Sequence, residues 1–178
     1  MRTGLRLRLL PSSLTLSIHL LAKVFMIHIL VADPFVDLVE TPKLELAALA
    51  VLQHEVEELV PDLSIVIEGD SRLQALNNEY LEIDAPTDVL SFPSGEEDPD
   101  PETGRVYLGD IIISYPRAEE QARAAGHPLL AELSLLVVHG VLHLLGHDHG
   151  EPEEKEQMWA AQADILRDLG ASITRLPE

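Results

Sequence analysis

Hydrophobic and polar positions change period several times along the chain, and the changes mark its elements. Met26 to Ala32 (MIHILVA) reads as a strand that runs into the turn at Asp33–Pro34. Thr41 then offers an N-cap, with Pro42 at the first helical position. Leu44, Leu46, Leu49, Leu52, Val56 and Leu59 follow at helical spacing as far as Pro61. Leu63 to Glu68 (LSIVIE) alternates as a second strand, and Asp70 can cap a helix that carries Leu73, Leu76 and Tyr80. Asp84 to Thr87 (DAPT) ends that helix, and Val89 to Phe92 makes a third strand. Arg105 to Leu108 and Asp110 to Tyr115 form either a hairpin-like pair or one long strand bent about Gly109.

From Pro116 the pattern turns helical. Arg117 to Ala125 ends at Gly126, the strongly apolar Pro128 to Leu145 ends at Gly146, and Glu151 to Leu169 ends at Gly170. The order predicts one small mixed β-sheet covered by helices, in an α+β or α/β arrangement. It leaves parallel and antiparallel pairing open. A chain of 178 residues is long enough to bury one core and short for two. Residues 26–170 are therefore expected to form a single domain, followed by a tail over 171–178.

The first 25 residues differ from the rest. Arg2, Arg6, Arg8 and Lys23 are basic, and no Asp or Glu occurs before Asp33. Three origins are open for this extension: an upstream start codon with the domain beginning at Met26, a native extension, or a targeting segment. Leu14 to Val31 is mostly apolar but is interrupted by Ser17, His19, Lys23 and His28, so a membrane-spanning helix is a poor reading.

Composition narrows the chemistry. Cysteine is absent, which excludes disulfide-linked partners, thiolate metal sites and a cysteine nucleophile. It also suits a reducing compartment, and the cytoplasm is the expected location. The formal net charge of -19 opposes a broadly basic nucleic-acid surface. The acidic stretch Ser94 to Thr103 reads as a solvated loop and needs no functional account.

The stretch from His139 to Gly150, HGVLHLLGHDHG, carries the chemistry. On a helix His139 and His143 stand one turn apart on the same face. Gly146 lets the chain leave the helix through a tight turn, and His149 returns over that face as a third ligand. Three nitrogens with an open fourth position are the catalytic arrangement of one divalent metal ion, zinc first among them. The spacing is that of zinc proteases, but Gly140 stands where those enzymes carry their glutamate base, and glycine moves no protons. Four histidines on and just after a leucine- and valine-rich helix are hard to place as mere core residues. Burying an unpartnered polar group costs roughly 2–7 kcal/mol. Asp148 is a candidate for proton transfer, for orienting a ligand imidazole, or for capping the helix near Glu151. His147 is expected to face the cleft or solvent without ligating. Trp159 and Met158 are expected to pack against the metal helix.

HGVLHLLGHDH resembles the signature of the bacterial YbeY proteins, metal-dependent rRNA maturation endoribonucleases. The likeness extends to LNNEYLEIDAPTDVLSFP (Leu76 to Pro93), to YLGDIIIS (Tyr107 to Ser114) and to the MIHILVADPF opening, and so covers Met26 to Leu169. The resemblance implies an α+β domain with a metal, usually zinc, on His139, His143 and His149. It also implies single-strand-specific endoribonuclease activity in small-subunit rRNA 3′-end maturation and ribosome quality control. The partners it implies are rRNA or other single-stranded RNA and the small ribosomal subunit or a ribosomal protein. Where the family commonly has an arginine after the tyrosine, this chain has Leu81 after Tyr80. Leucine supplies no donors for a phosphate. Arg72, Arg105 or Arg117 can take over, the partner can, or activity is weak. Asp88, Ser91, Asp110 and Ser114 lie in the matched blocks, either lining the cleft or serving as turn caps and strand polar positions. In the expected reaction the metal assists phosphodiester hydrolysis, and Asp148 is the candidate catalytic group. The rival is a non-enzymatic ribosome-assembly factor with a structural metal. A metallohydrolase of peptides or small molecules is the weaker alternative.

Overall fold

The computed structural model describes residues 26–56, 61–95 and 98–171. The expectations for residues 1–25, for Leu59 and for the tail from residue 172 lie outside them. Four strands form one sheet: β1 (Met26–Val31), β2 (Pro61–Glu68), β3 (Val89–Pro93) and β4 (Val106–Ser114), in the order β1-β2-β4-β3. Strands β1, β2 and β4 pair in parallel, and β3 runs antiparallel to β4 at the edge. The helices are α1 (Thr41–Glu55), α2 (Asp70–Leu81), α3 (Tyr115–Ala125), α4 (Leu129–Leu144) and α5 (Pro152–Asp168). The fold is α+β, a small mixed sheet covered by helices.

Pleating sorts the strand residues between two cores. Leu63, Ile65, Ile67, Ile111 and Ile113 turn to one face, where they join α1, α4 and α5 in the main core. Ile112 turns to the other face and packs with Leu73 and Leu76 of α2 and with Leu90 and Phe92 of β3. Helix α1 buries Leu44, Ala47, Ala48, Val51 and Leu52, while Leu46 on its far side stays exposed. Each fully buried Leu or Ile contributes about 1.5–3 kcal/mol relative to exposure.

Helix α4 is apolar all round because it is enclosed. Thirteen of its sixteen residues are buried, as expected of a helix with neighbours on every side. It lies so close to the sheet that a Cβ on Gly140 would sit 2.7 Å from the Cγ2 of Ile111. The Ser91 hydroxyl donates to the Gly140 carbonyl at 3.2 Å and fixes α4 against β3 as well. Gly140 is thus a packing requirement at the position where the zinc proteases place their glutamate.

The choice left open at Gly109 resolves to one strand with a bulge. Asp62 pairs with Tyr107 and Leu63 with Gly109, so Leu108 is the extra residue. Gly109 has φ +134°, and a Cβ there would lie 2.1 Å from the Phe92 carbonyl oxygen. Two capping expectations are corrected. The N-cap of α1 is Glu40, with Thr41 already helical and no side-chain cap bond. The N-cap of α2 is Gly69. The Asp70 carboxylate instead accepts from the Ser114 hydroxyl and pairs with Arg117, tying α2 to the start of α3.

Gly109→Ala is expected to destabilise the protein by about 2–4 kcal/mol, from backbone strain and the clash with Phe92 together. Urea denaturation reads this directly. An unchanged midpoint would be incompatible with the β3–β4 pairing described.

Candidate metal centre

Helix α4 holds His139 and His143 one turn apart near its C-terminal end. His139 is buried and His143 half-buried. The helix is closed by bonds from the Gly146 amide to the His143 carbonyl and from the His147 amide to the Leu142 carbonyl, each 3.0 Å. Gly146 takes φ +90°, a conformation that L side chains rarely adopt. The reversed chain then carries the exposed His149 back to the other two. Ring centroids are 4.6 Å apart for His139–His143, 5.0 Å for His143–His149 and 5.6 Å for His139–His149. One nitrogen from each ring lies within 4.8 Å of the others.

Hydrogen bonds settle which nitrogens face inward. The Nδ1 of His143 lies 2.9 Å from the His147 carbonyl, which only accepts, so Nδ1 carries the proton. The Nδ1 of His139 lies 3.1 Å from the Gln162 amide oxygen on α5 and donates to it. Both rings therefore present unprotonated Nε2 atoms, and these face one another at 3.1 Å. Two lone pairs so placed repel unless a cation stands between them. Nitrogens each about 2.0–2.1 Å from a tetrahedral zinc are separated by roughly 3.3 Å. The donor set fits a zinc-like divalent ion: imidazole nitrogen throughout, with tautomers fixed from behind.

The protonation states agree. Burial first, and then the neighbouring His143, push His139 down to about 4. Burial and His149 lower His143 as well. Both are neutral at pH 7 and ready to ligate.

The centre opens into a cleft of about 700 Å³. Asp88, Ser91, His147 and Asp148 are among its walls, as are Leu81 and Ile83. Asp110 and Ser114 are not. Asp110 accepts from the Tyr107 hydroxyl at 2.8 Å, and Ser114 accepts from the Arg117 amide as the N-cap of α3. Asp88 is held by the Val89 amide and the Gln121 side chain, each at 2.8 Å. The Asp148 carboxylate accepts from the His149 amide at 2.7 Å, which lowers its pKa. It therefore braces the ligand loop, and the N-cap of α5 is Glu151. Arg72, Arg105 and Arg117, the replacements considered for the missing arginine, do not line the cleft. Arg105 pairs with Asp62, and Arg117 with Asp70 and Glu120.

Two residues at the site were not singled out from the sequence. Gln162 is fully buried on α5 and accepts from His139, while its Nε2 has no partner among the described residues. Glu55, at the end of α1, lies 3.1 Å from the Nε2 of His147. Burial alone would raise its pKa, but hydrogen bonds with His54 and His147 hold it below the ordinary value. Met158 is fully buried in the main core, and Lys155 lies over the Trp159 ring at 4.1 Å.

Residues 37–170 match the family described as Endoribonuclease YbeY. A protein of that name from Dehalococcoides mccartyi is 43% identical over 135 residues, spanning 70% of this chain and 78% of the relative. Another, from Geobacillus kaustophilus, is 45% identical over 141 residues, spanning 74% and 86%. The solution structure of TM1509 from Thermotoga maritima matches with a TM-score of 0.56 at 28% identity. The match covers 81% of this chain and 89% of that one.

Metal-free protein titrated with zinc is expected to bind one equivalent, and His143→Ala to lose the site. Gln162→Leu should weaken zinc binding about 10–100-fold, with Gln162→Glu restoring it because a carboxylate also accepts from Nδ1. Equal affinities for all three Gln162 forms would remove the tautomer argument. In the metal-free protein His139 stays neutral down to about 4, whereas its ordinary value is 6.5. Between these values the unfolded chain binds more protons, so stability is complete above pH 6.5 and declines as pH falls towards about 4. Denaturation midpoints across that window test the sign.

Proposed function

The chain belongs to the YbeY endoribonuclease family, and we propose that it is a zinc-dependent, single-strand-specific endoribonuclease. Its work on this reading is maturation of the small-subunit rRNA 3′ end and ribosome quality control in the cytoplasm. The observation that carries the reading is the set of three converging imidazoles at the wall of a cleft open to solvent. A closed structural site would not need such an opening. When bound there, zinc supplies Lewis-acid activation of a phosphoryl oxygen and of water at neutral pH.

The chain's own residues divide the remaining work. His139 and His143 keep their Nδ1 protons on Gln162 and on the His147 carbonyl, so neither ring turns or exchanges tautomer during turnover. Asp148 is fully exposed at the cleft, and its pKa is lowered by the His149 amide. It is ionised at neutral pH and can accept a proton from the attacking water, though as a weak base. It is poorly suited to donate one to the leaving oxygen, which takes its proton from solvent. The net charge of -19 opposes capture of free RNA. Substrate delivery is therefore assigned to a partner, the small ribosomal subunit or one of its basic proteins.

The rival reading, a non-enzymatic assembly factor with a structural metal, draws support from Leu81 and from the absence of lysine and arginine among the described residues along the cleft. An end-labelled single-stranded fragment from the small-subunit rRNA 3′ region separates the two. Zinc-loaded protein is expected to cleave it, and His143→Ala is not. Asp148→Asn should lower kcat about 10²–10⁴-fold with zinc content unchanged. No cleavage by zinc-loaded protein, alone or with small subunits, would favour the assembly factor.

A further inference from the structure

Three of the large apolar side chains left exposed among the described residues lie together at the end of α2. Tyr80 is 59% exposed, Leu81 56% and Ile83 51%. Leu81 and Ile83 line the same cleft as the three histidines. Clustered apolar exposure beside a site marks contact with a ligand more often than single exposed residues do.

This rim is built rather than loose. Glu82 takes the left-handed conformation at φ 59°, which L side chains adopt at a cost. The turn it creates is held on three sides. The Ile83 amide donates to the Asn77 carbonyl at 3.3 Å, the buried Asn77 amide donates to the Ala85 carbonyl at 2.8 Å, and Gln74 donates to Asp84 at 2.8 Å. The Tyr80 ring stands edge-on to Phe92 of β3, with centroids 4.9 Å apart. The turn thereby carries Leu81 and Ile83 to the wall of the cleft on a backbone that is already ordered.

The charges of the cleft say what those tips are for. Among the described residues, lysine and arginine are absent from its lining, while Asp88 and Asp148 are present. The described lining therefore offers phosphate charge no cationic side chain. It does suit an uncharged, flat and partly apolar group, and an RNA strand carries one at every nucleotide. In a duplex its faces are stacked away, whereas in a single strand they are open.

We propose that Leu81 and Ile83, backed by Tyr80, form a platform for one unpaired nucleobase of the RNA held at the metal centre. On this proposal, which rests on the nuclease reading, the cleft selects its substrate by an exposed base rather than by phosphate charge.

The test uses zinc-loaded protein cleaving a labelled single-stranded RNA, inhibited by two competitors of equal length and charge. One is a 2′-O-methyl oligoadenylate. The other is the same backbone without bases. The base-bearing competitor is expected to inhibit wild type at least tenfold more strongly. In the double variant Leu81→Ser/Ile83→Ser the two should come within about twofold of each other, with the abasic competitor unchanged. Leu81→Met should keep the preference. Both positions are exposed, so the variant is expected to fold, and its zinc content and thermal midpoint check this. Equal inhibition of an actively cleaving wild type overturns the platform and leaves the nuclease intact. So does a variant that keeps the preference or loses both competitors alike. A wild type that cleaves nothing, alone or with small ribosomal subunits, overturns the nuclease reading and the platform with it.

Discussion

Two imidazole nitrogens 3.1 Å apart, each with its proton held on the far side of its ring, set the terms for the rest of this molecule. Lone pairs so close are tolerable only around a cation, and they stay close only if α4 cannot shift. Gly140 lets the helix press against Ile111, Ser91 bonds its carbonyl, and α1, α3 and α5 close around it. The sheet and four helices can be understood as the holder of one helical turn. His149 alone is delivered by an exposed loop, and the Asp148 carboxylate steadies that loop through the His149 amide.

The convergence of the three histidines was legible because it is local. His139, His143 and Gly146 obey helical periodicity and a helix-ending turn, both of which can be read without knowing the fold. Their supports were not legible. Gln162 lies 23 residues beyond His139 and Glu55 lies 92 before His147, so their roles depend on how α5 and α1 pack. Asp70 shows the same limit. Its place before an apolar run looks like a cap, but Gly69 takes that position, and the carboxylate is drawn to Ser114 and Arg117. At Gly109 the period-two pattern alone fitted two arrangements, because a bulge restores the alternation after one extra residue. Only the pairing with β2 decides it. The direction of strand pairing was undecided for a related reason: alternation reports which face is buried, not which neighbour runs alongside.

Charge works on two scales here. The whole chain is strongly acidic, yet its carboxylates are largely engaged or solvated: Asp62 with Arg105, Asp70 with Arg117, Glu55 with His147, Asp100 with its own turn. The cleft is different because its walls mix carboxylates with apolar side chains and, among the described residues, hold no lysine or arginine. With such a lining, a bound ion would supply the attraction for an anion, and the shape and polarity of the walls the discrimination among anions. Affinity and selectivity are thus assigned to separate parts of one site.

The strand order β1-β2-β4-β3 has a consequence for how the chain is made. Strand β2 finds its partners in segments that begin 35 residues earlier and 45 residues later, so the sheet rests on distant contacts, the slow kind to form. The helix that covers its apolar face, Leu129–Leu144, is synthesised after all four strands. Until α4 emerges, Leu63, Ile65, Ile67, Ile111 and Ile113 have no complete cover, and the nascent chain is at its most exposed to wrong association. The same late segment carries the histidines. A chain interrupted before α4 therefore presents neither a closed core nor the histidine cluster, and the Gln162 that fixes His139 arrives later still, with α5.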